Sequence, residues 1–235
     1  MLNTRNIALL ISGLFITVIS CSNVLAQRSN NFNVGINAGP SLALGQLGSQ
    51  QYNTGGYALS GSSIAAEGIW YFHPALGIGV AVSQTKFPFA DGAYAHDMVN
   101  GDPAMESLYL KSDAYQVWTY TAGLFYRHHI FRKFSAAGHL AGGVLWAQTP
   151  DHLFVANFFM VPNIGYKITP SQSTKATYQA GLALQYQLFD HVGLSLKADY
   201  FLANSAFRFY TATDSYIKNI TFSYLNTMIG IDFKF

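Results

Sequence analysis

Bulky apolar residues alternate with small or polar ones along most of the chain, the period-two pattern of strands with two unlike faces. In the first such segment Phe32, Val34, Ile36, Ala38, Leu42 and Leu44 share one face, and Asn33, Gly35, Asn37, Gly39, Ser41 and Ala43 the other. Comparable segments occupy 63–72, 76–83, 118–127, 134–146, 177–188, 192–202 and 225–235. Together they predict eight strands, mostly longer than those of soluble sheets. Pro40 has no N–H to give a ladder and predicts an irregularity or bulge near the rim of the first strand. Connections at 73–75, 128–133 and 189–191 are short, whereas 46–56, 88–112, 149–173 and 204–217 are long. Regular alternation of short and long is the loop order of an antiparallel up-and-down barrel, with both termini on the short-turn side.

Alternation alone also suits a soluble barrel whose apolar face lines a ligand cavity. Two features argue for lipid outside. The bulky face carries no Asp, Glu, Lys or Arg in any segment. The opposite face is largely Gly, Ala, Ser and Thr, which suits an eight-stranded lumen just wide enough to be filled by side chains. Aromatic residues gather near both ends of the segments, where rings anchor at lipid headgroups.

Composition agrees. Charged residues make up 10% of the chain, against about 25% in an ordinary soluble domain. A net charge of +2 with no basic run gives nucleic acid nothing to bind. No apolar stretch after Ala26 approaches the roughly 20 residues of a helical span, so a closed sheet is the remaining way to cross a bilayer. The first 26 residues read as a secretory signal: Arg5, an apolar run from Ile7 to Ile19, and Val24-Leu25-Ala26 before Gln27. Cleavage after Ala26 would leave the barrel domain as residues 27–235 and remove Cys21, the one cysteine. Val18-Ile19-Ser20-Cys21 loosely resembles a lipobox, the alternative in which Cys21 is kept and lipidated.

Val34-Gly35-Ile36-Asn37-Ala38-Gly39 follows the signal, and glycines punctuate hairpins such as Tyr71-Phe72-His73-Pro74-Ala75-Leu76-Gly77-Ile78-Gly79. The closing strand is Ile229-Gly230-Ile231-Asp232-Phe233-Lys234-Phe235. In these features, the last above all, the chain resembles the small outer-membrane β-barrel proteins, the porin-like group of the Gram-negative envelope. The resemblance implies periplasmic turns and termini, extracellular loops, and partners in outer-membrane lipid and the barrel-assembly machinery. Phe233 and Phe235 would then form the C-terminal signal that this machinery reads.

Candidate chemistry falls in two places. Glu67, Arg127, His139, Lys197, Asp199, Asp232 and Lys234 all point inward by parity, on the turn side. Because a buried charge is costly unless paired, they predict a self-neutralising plug of ion pairs and hydrogen bonds, with a gated ion path as the alternative. In the third long loop Leu153, Phe154, Phe158, Phe159 and Met160 are strongly apolar for an exposed segment, which predicts burial or an interface. A nucleophile, base and acid for catalysis are not evident. His96 beside Asp97 and His152 beside Asp151 read as solvated loop residues, with no serine elbow near. Asp91, Asp97, Asp102, Glu106 and Asp113 match no calcium-loop spacing. The sequence therefore predicts a non-enzymatic, cofactor-free barrel with a filled lumen and a structural, adhesive or partner-binding role carried by its loops. A narrow pore or carrier for small or hydrophobic solutes is the alternative, and a lipid-modifying enzyme of the envelope a third.

Overall fold

The computed structural model describes residues 31–52, 54–159, 164–210 and 215–235. Among the described residues eleven strands form, in chain order β1 (Phe32–Leu44), β2 (Gly61–Tyr71), β3 (Leu76–Phe87), β4 (Met105–Ser112), β5 (Tyr115–Phe131), β6 (Phe134–Gln148), β7 (His152–Phe158), β8 (Ile164–Ile168), β9 (Gln172–Gln187), β10 (Val192–Tyr210) and β11 (Ser215–Lys234). Two helices lie in the long connections, α1 (Gly45–Gly48) and α2 (Asp91–Gly101). Eight of the strands pair antiparallel in the order β1-β11-β10-β9-β6-β5-β3-β2, and β1 pairs with both β2 and β11, so the sheet closes on itself. Where all eight strands pair, closure leaves no edge of unpaired backbone groups, which is what a bilayer demands of a sheet.

The alternation read from the sequence is the alternation of the wall. Leu140 and Leu182 are each 70% exposed on the outside, whereas Asn33, Asn37, Ser41, Thr119 and Ser195 are buried within. An apolar outer belt of this kind would be insoluble in water and is what lipid solvates. Pro40 interrupts the hydrogen bonding between β1 and β11, where pairing skips from Ala38↔Ile229 to Ser41↔Asn226. The register is the same on both sides of the gap, so the irregularity is a missing rung and not a bulge. At Gly39 a Cβ would run into the Thr227 carbonyl, so the two strands approach too closely there for a side chain.

Two expectations from the sequence need correction. The stretch 204–217 is not a long loop. β10 and β11 continue far beyond their barrel neighbours, pairing from Ala203↔Phe222 to Tyr210↔Ser215 after β9 and β1 have ended. Nor is the lumen filled by small residues throughout. Its loop-side half holds a cluster that includes Phe87, Val117, Leu145, Phe201, Phe207, Phe222 and Tyr224, all buried. Tyr224 stacks on Phe201 with 4.8 Å between ring centroids and meets Phe87 edge-on at 5.4 Å. Parity is obeyed, but bulk is not confined to the lipid face.

The second and third long connections fold as well. β4, β7 and β8 form a separate three-stranded sheet in the order β4-β7-β8, with α2 packed against β4. This cap is tied to the barrel mouth through the 57–58 segment: Ala90 N donates to Tyr57 O, and Ala58 bridges to Phe89. Tyr57 adopts a left-handed backbone (φ 54°), a conformation few non-glycine residues tolerate. Its hydroxyl donates to Asp97 of α2 at 2.5 Å.

Candidate functional site: the lumen network and the outer cap

The seven charged or titratable residues assigned inward by parity all face the lumen. Glu67 of β2 forms an ion pair with Lys197 of β10, and both side chains are almost fully buried. His139 of β6 lies 3.3 Å from Asp199 of β10. Its Nε2 also lies 3.0 Å from Gln179 Nε2, so in any one tautomer that nitrogen serves only one of the two partners. The imidazole stacks on Phe125 at 4.8 Å, and Thr121 donates to Gln179 Oε1 at 2.7 Å. At Gly181 a Cβ would strike both the Asp199 carboxylate and the His139 ring, so only glycine admits this pair against the wall.

The other three charges are held without a close ion pair among the described residues. Asp232 accepts from Gln185 at 3.1 Å and from Ser195 at 3.2 Å. Lys234 donates to Gln187 at 3.4 Å, and the Arg127 guanidinium lies 3.9 Å from the centre of the Tyr71 ring. The expected plug of mutual pairs is thus half ionic and half a set of amide, hydroxyl and ring contacts.

Loopward of the charges runs a layer of neutral donors and acceptors. Ser41 donates to Asn226 at 2.5 Å, Asn226 donates to Ser63 at 3.0 Å, and Thr85 donates to Ser63 at 3.0 Å. The enclosed cavity left between this layer and the charges measures about 10 Å³, room for roughly one water. Beyond it the aromatic cluster fills the lumen. Three layers of different chemistry therefore stand in series along the axis.

In the cap the apolar third loop is a central strand, β7. Phe154 and Ala156 turn inward and are buried, while Leu153 (45% exposed) and Phe159 (73%) face out and Phe158 is half-buried. Met160 lies outside the described residues. The expectation of burial or an interface was drawn for a loop, yet strand alternation sends the apolar side chains both ways. On the outer face Leu153 stands between Lys111 of β4 and Lys167 of β8, and Tyr109 lies beside Val155. Lys167 pairs with Asp151 at 2.7 Å, which holds its pKa up.

His152 is not a solvated loop residue. It pairs in register with Ser112, whose hydroxyl lies 2.7 Å from its Nδ1. It also meets the Phe89 ring edge-on at 4.7 Å and stacks on Tyr94 at 6.4 Å. Burial lowers its pKa to about 4, against the opposing pull of Asp91 and Asp151. Forty positions separate Ser112 from His152, so no local motif could have revealed the contact. Only the pairing of β4 with β7 brings them together.

Phe233 and Phe235 face outward at the turn-side end of β11, where Phe235 and Phe32 exchange backbone hydrogen bonds of 2.8 and 3.1 Å.

The sequence matches no protein-family model and no curated protein. The structure is similar to a major outer membrane protein from Thermus thermophilus, with a TM-score of 0.50 at 11% identity, over 87% of this chain and 99% of that one. It is also similar to Neisserial surface protein A (TM-score 0.49, 14% identity, 88% and 98% covered) and to OprG from Pseudomonas aeruginosa (TM-score 0.44, 13% identity, 87% and 95% covered). At such identities the likeness is one of fold.

Proposed function

We propose that this small outer-membrane β-barrel is a closed scaffold that presents its outer cap to a partner outside the cell. The observation that carries the reading is the contrast between lumen and cap. The cavity between the charged and the aromatic layers of the lumen measures about 10 Å³, and buried side chains fill the layers on either side of it. The cap is a folded sheet whose outer face combines Tyr109, Leu153 and Phe159 with Lys111 and Lys167, all exposed. Large apolar residues exposed together on a folded sheet mark an interaction surface, whereas a solute path needs an open lumen. In this reading the turns and both termini face the periplasm. Outer-membrane lipid solvates the belt, and Phe233 and Phe235 serve the assembly machinery.

The test is binding by cells displaying the protein to a solid-phase panel of envelope saccharides and extracellular-matrix proteins. The variant Tyr109→Ser/Leu153→Ser/Phe159→Ser should lose at least tenfold in any binding seen while keeping the heat-modifiable gel mobility of a folded barrel. Wild-type and triple-variant cells that bind the panel alike would refute the reading.

A further inference from the structure

The cap is organised around one titratable side chain. His152 joins three parts of the cap: Ser112 of β4 through a 2.7 Å hydrogen bond, Phe89 and Tyr94 of the α2 region through ring contacts, and its own strand β7 through Phe154. Its ring is half-buried among those aromatics. Two carboxylates of the same region are incompletely bonded. Asp91 Oδ2 accepts from Ser112 N at 3.2 Å and Asp151 Oδ2 pairs with Lys167, yet Oδ1 of each is buried with no hydrogen-bond partner among the described residues. A buried acceptor without a donor is an unfavourable arrangement that a second packing can relieve.

Resting on the reading of the cap as the binding surface, we propose that His152 is an acid-sensitive latch: protonation opens the contact between α2 and the β4/β7 sheet, and so loosens the framework on which that surface is displayed. With the imidazole neutral, Nδ1 and the Ser112 hydroxyl share one hydrogen bond and the ring packs as an apolar plate. Protonation reverses that bond, Nδ1–H now donating to the hydroxyl, but places a cation in a half-buried site within electrostatic reach of Lys218 of β11. The charged groups around it are Asp91 and Tyr94 on α2, Asp113 after β4, Asp151 before β7 with its partner Lys167 on β8, and Lys218. The imidazolium can be accommodated if water enters or if it turns to the free oxygens of Asp91 and Asp151. Entry of water requires the Phe89 and Tyr94 rings to part from the imidazole, which loosens α2 from the sheet.

The sign follows from the depressed pKa. An opened cap holds His152 near its ordinary value of 6.5, and the closed one near 4, so the open form binds more protons between those limits. Closure is therefore fully favoured above about pH 6.5 and is lost as pH falls toward 4. One proton is involved, so the opening constant rises by at most about tenfold per pH unit in that window.

Hydrogen exchange on the full chain in lipid vesicles, corrected for intrinsic rates, reads opening without any ligand and stands apart from the panel experiment. Between pH 6.5 and 4.5, amides of α2, β4 and β7 should lose protection by at least tenfold, with the barrel strands unchanged. His152→Gln should flatten that response. Equal pH dependence in wild type and His152→Gln would overturn the latch, as would cap protection that does not vary with pH. Should His152→Gln leave the cap open at neutral pH, two charge variants decide. Lys218→Met removes a like charge and should weaken the acid response, whereas Asp91→Asn removes a favourable one and should strengthen it. No change in either would also overturn it.

Discussion

The Glu67–Lys197 pair joins strands on opposite sides of the closing seam, in a lumen where both side chains are almost fully buried. Two charges taken out of water have little net stabilising effect together, but one left alone is costly. Lys197→Met alone should therefore destabilise the barrel by about 3–5 kcal/mol, while Lys197→Met combined with Glu67→Gln recovers most of the loss. Urea unfolding in vesicles, followed by fluorescence of Trp70, Trp118 and Trp146, measures the cycle. A double variant no more stable than Lys197→Met alone would show that the lone Glu67 is not what destabilises the barrel. This residue-scale feature was legible in the sequence, because parity alone sends Glu67 and Lys197 inward. The partners were not. Pairing of Asp232 with Gln185 and Ser195, and of Arg127 with the Tyr71 ring, depends on how strands tilt around the barrel, which alternation does not encode.

Elements were legible wherever the two faces differ. They failed where both faces carry bulk, as in Ala203–Tyr210, where Phe207 turns inward to a fully apolar cluster and the strand reads as a loop. That extension creates an edge on β11 beyond the end of β1, and Gln46 of α1 covers it. Its carboxamide accepts from Thr221 N at 2.8 Å and donates to Asn219 O at 3.2 Å, as a neighbouring strand would. A side chain that imitates a ladder partner protects an exposed strand edge and fixes α1 over the mouth. Gln46→Ala should cost about 1 kcal/mol for each hydrogen bond lost and raise the exchange rate of the Thr221 amide several-fold. Protection at Thr221 that survives the substitution would mean that the edge is held by packing alone. The cap sheet had no comparable signature. β4 and β7 are short, separated by β5 and β6, and united by contacts such as Ser112–His152 that only the folded chain brings together.

At the scale of the whole molecule the three luminal layers act in series, so an ion must pass each of them. The sequence made the charged layer visible and hid the aromatic one, because Phe201 and Phe222 break the expectation of small inward residues. The arrangement makes a definite prediction about conduction. Phe222→Ala/Tyr224→Ala empties part of the aromatic layer and should cost several kcal/mol in stability, since truncation of a buried aromatic costs about 3–5 kcal/mol. It should still give no steady channels in planar bilayers, because Glu67 and Lys197 remain locked across the turn-side half. Glu67→Ala/Lys197→Ala should likewise stay silent, with Phe201 and its neighbours closing the other half. Only the four substitutions together should produce a stepwise, salt-dependent conductance. Steady channels from the wild type, or from either pair alone, would show that the layers do not block in series and would return the narrow-pore reading to first place. The order matters physically: a hydrophobic constriction excludes ions by dewetting, and an ion-paired one by the cost of separating its charges.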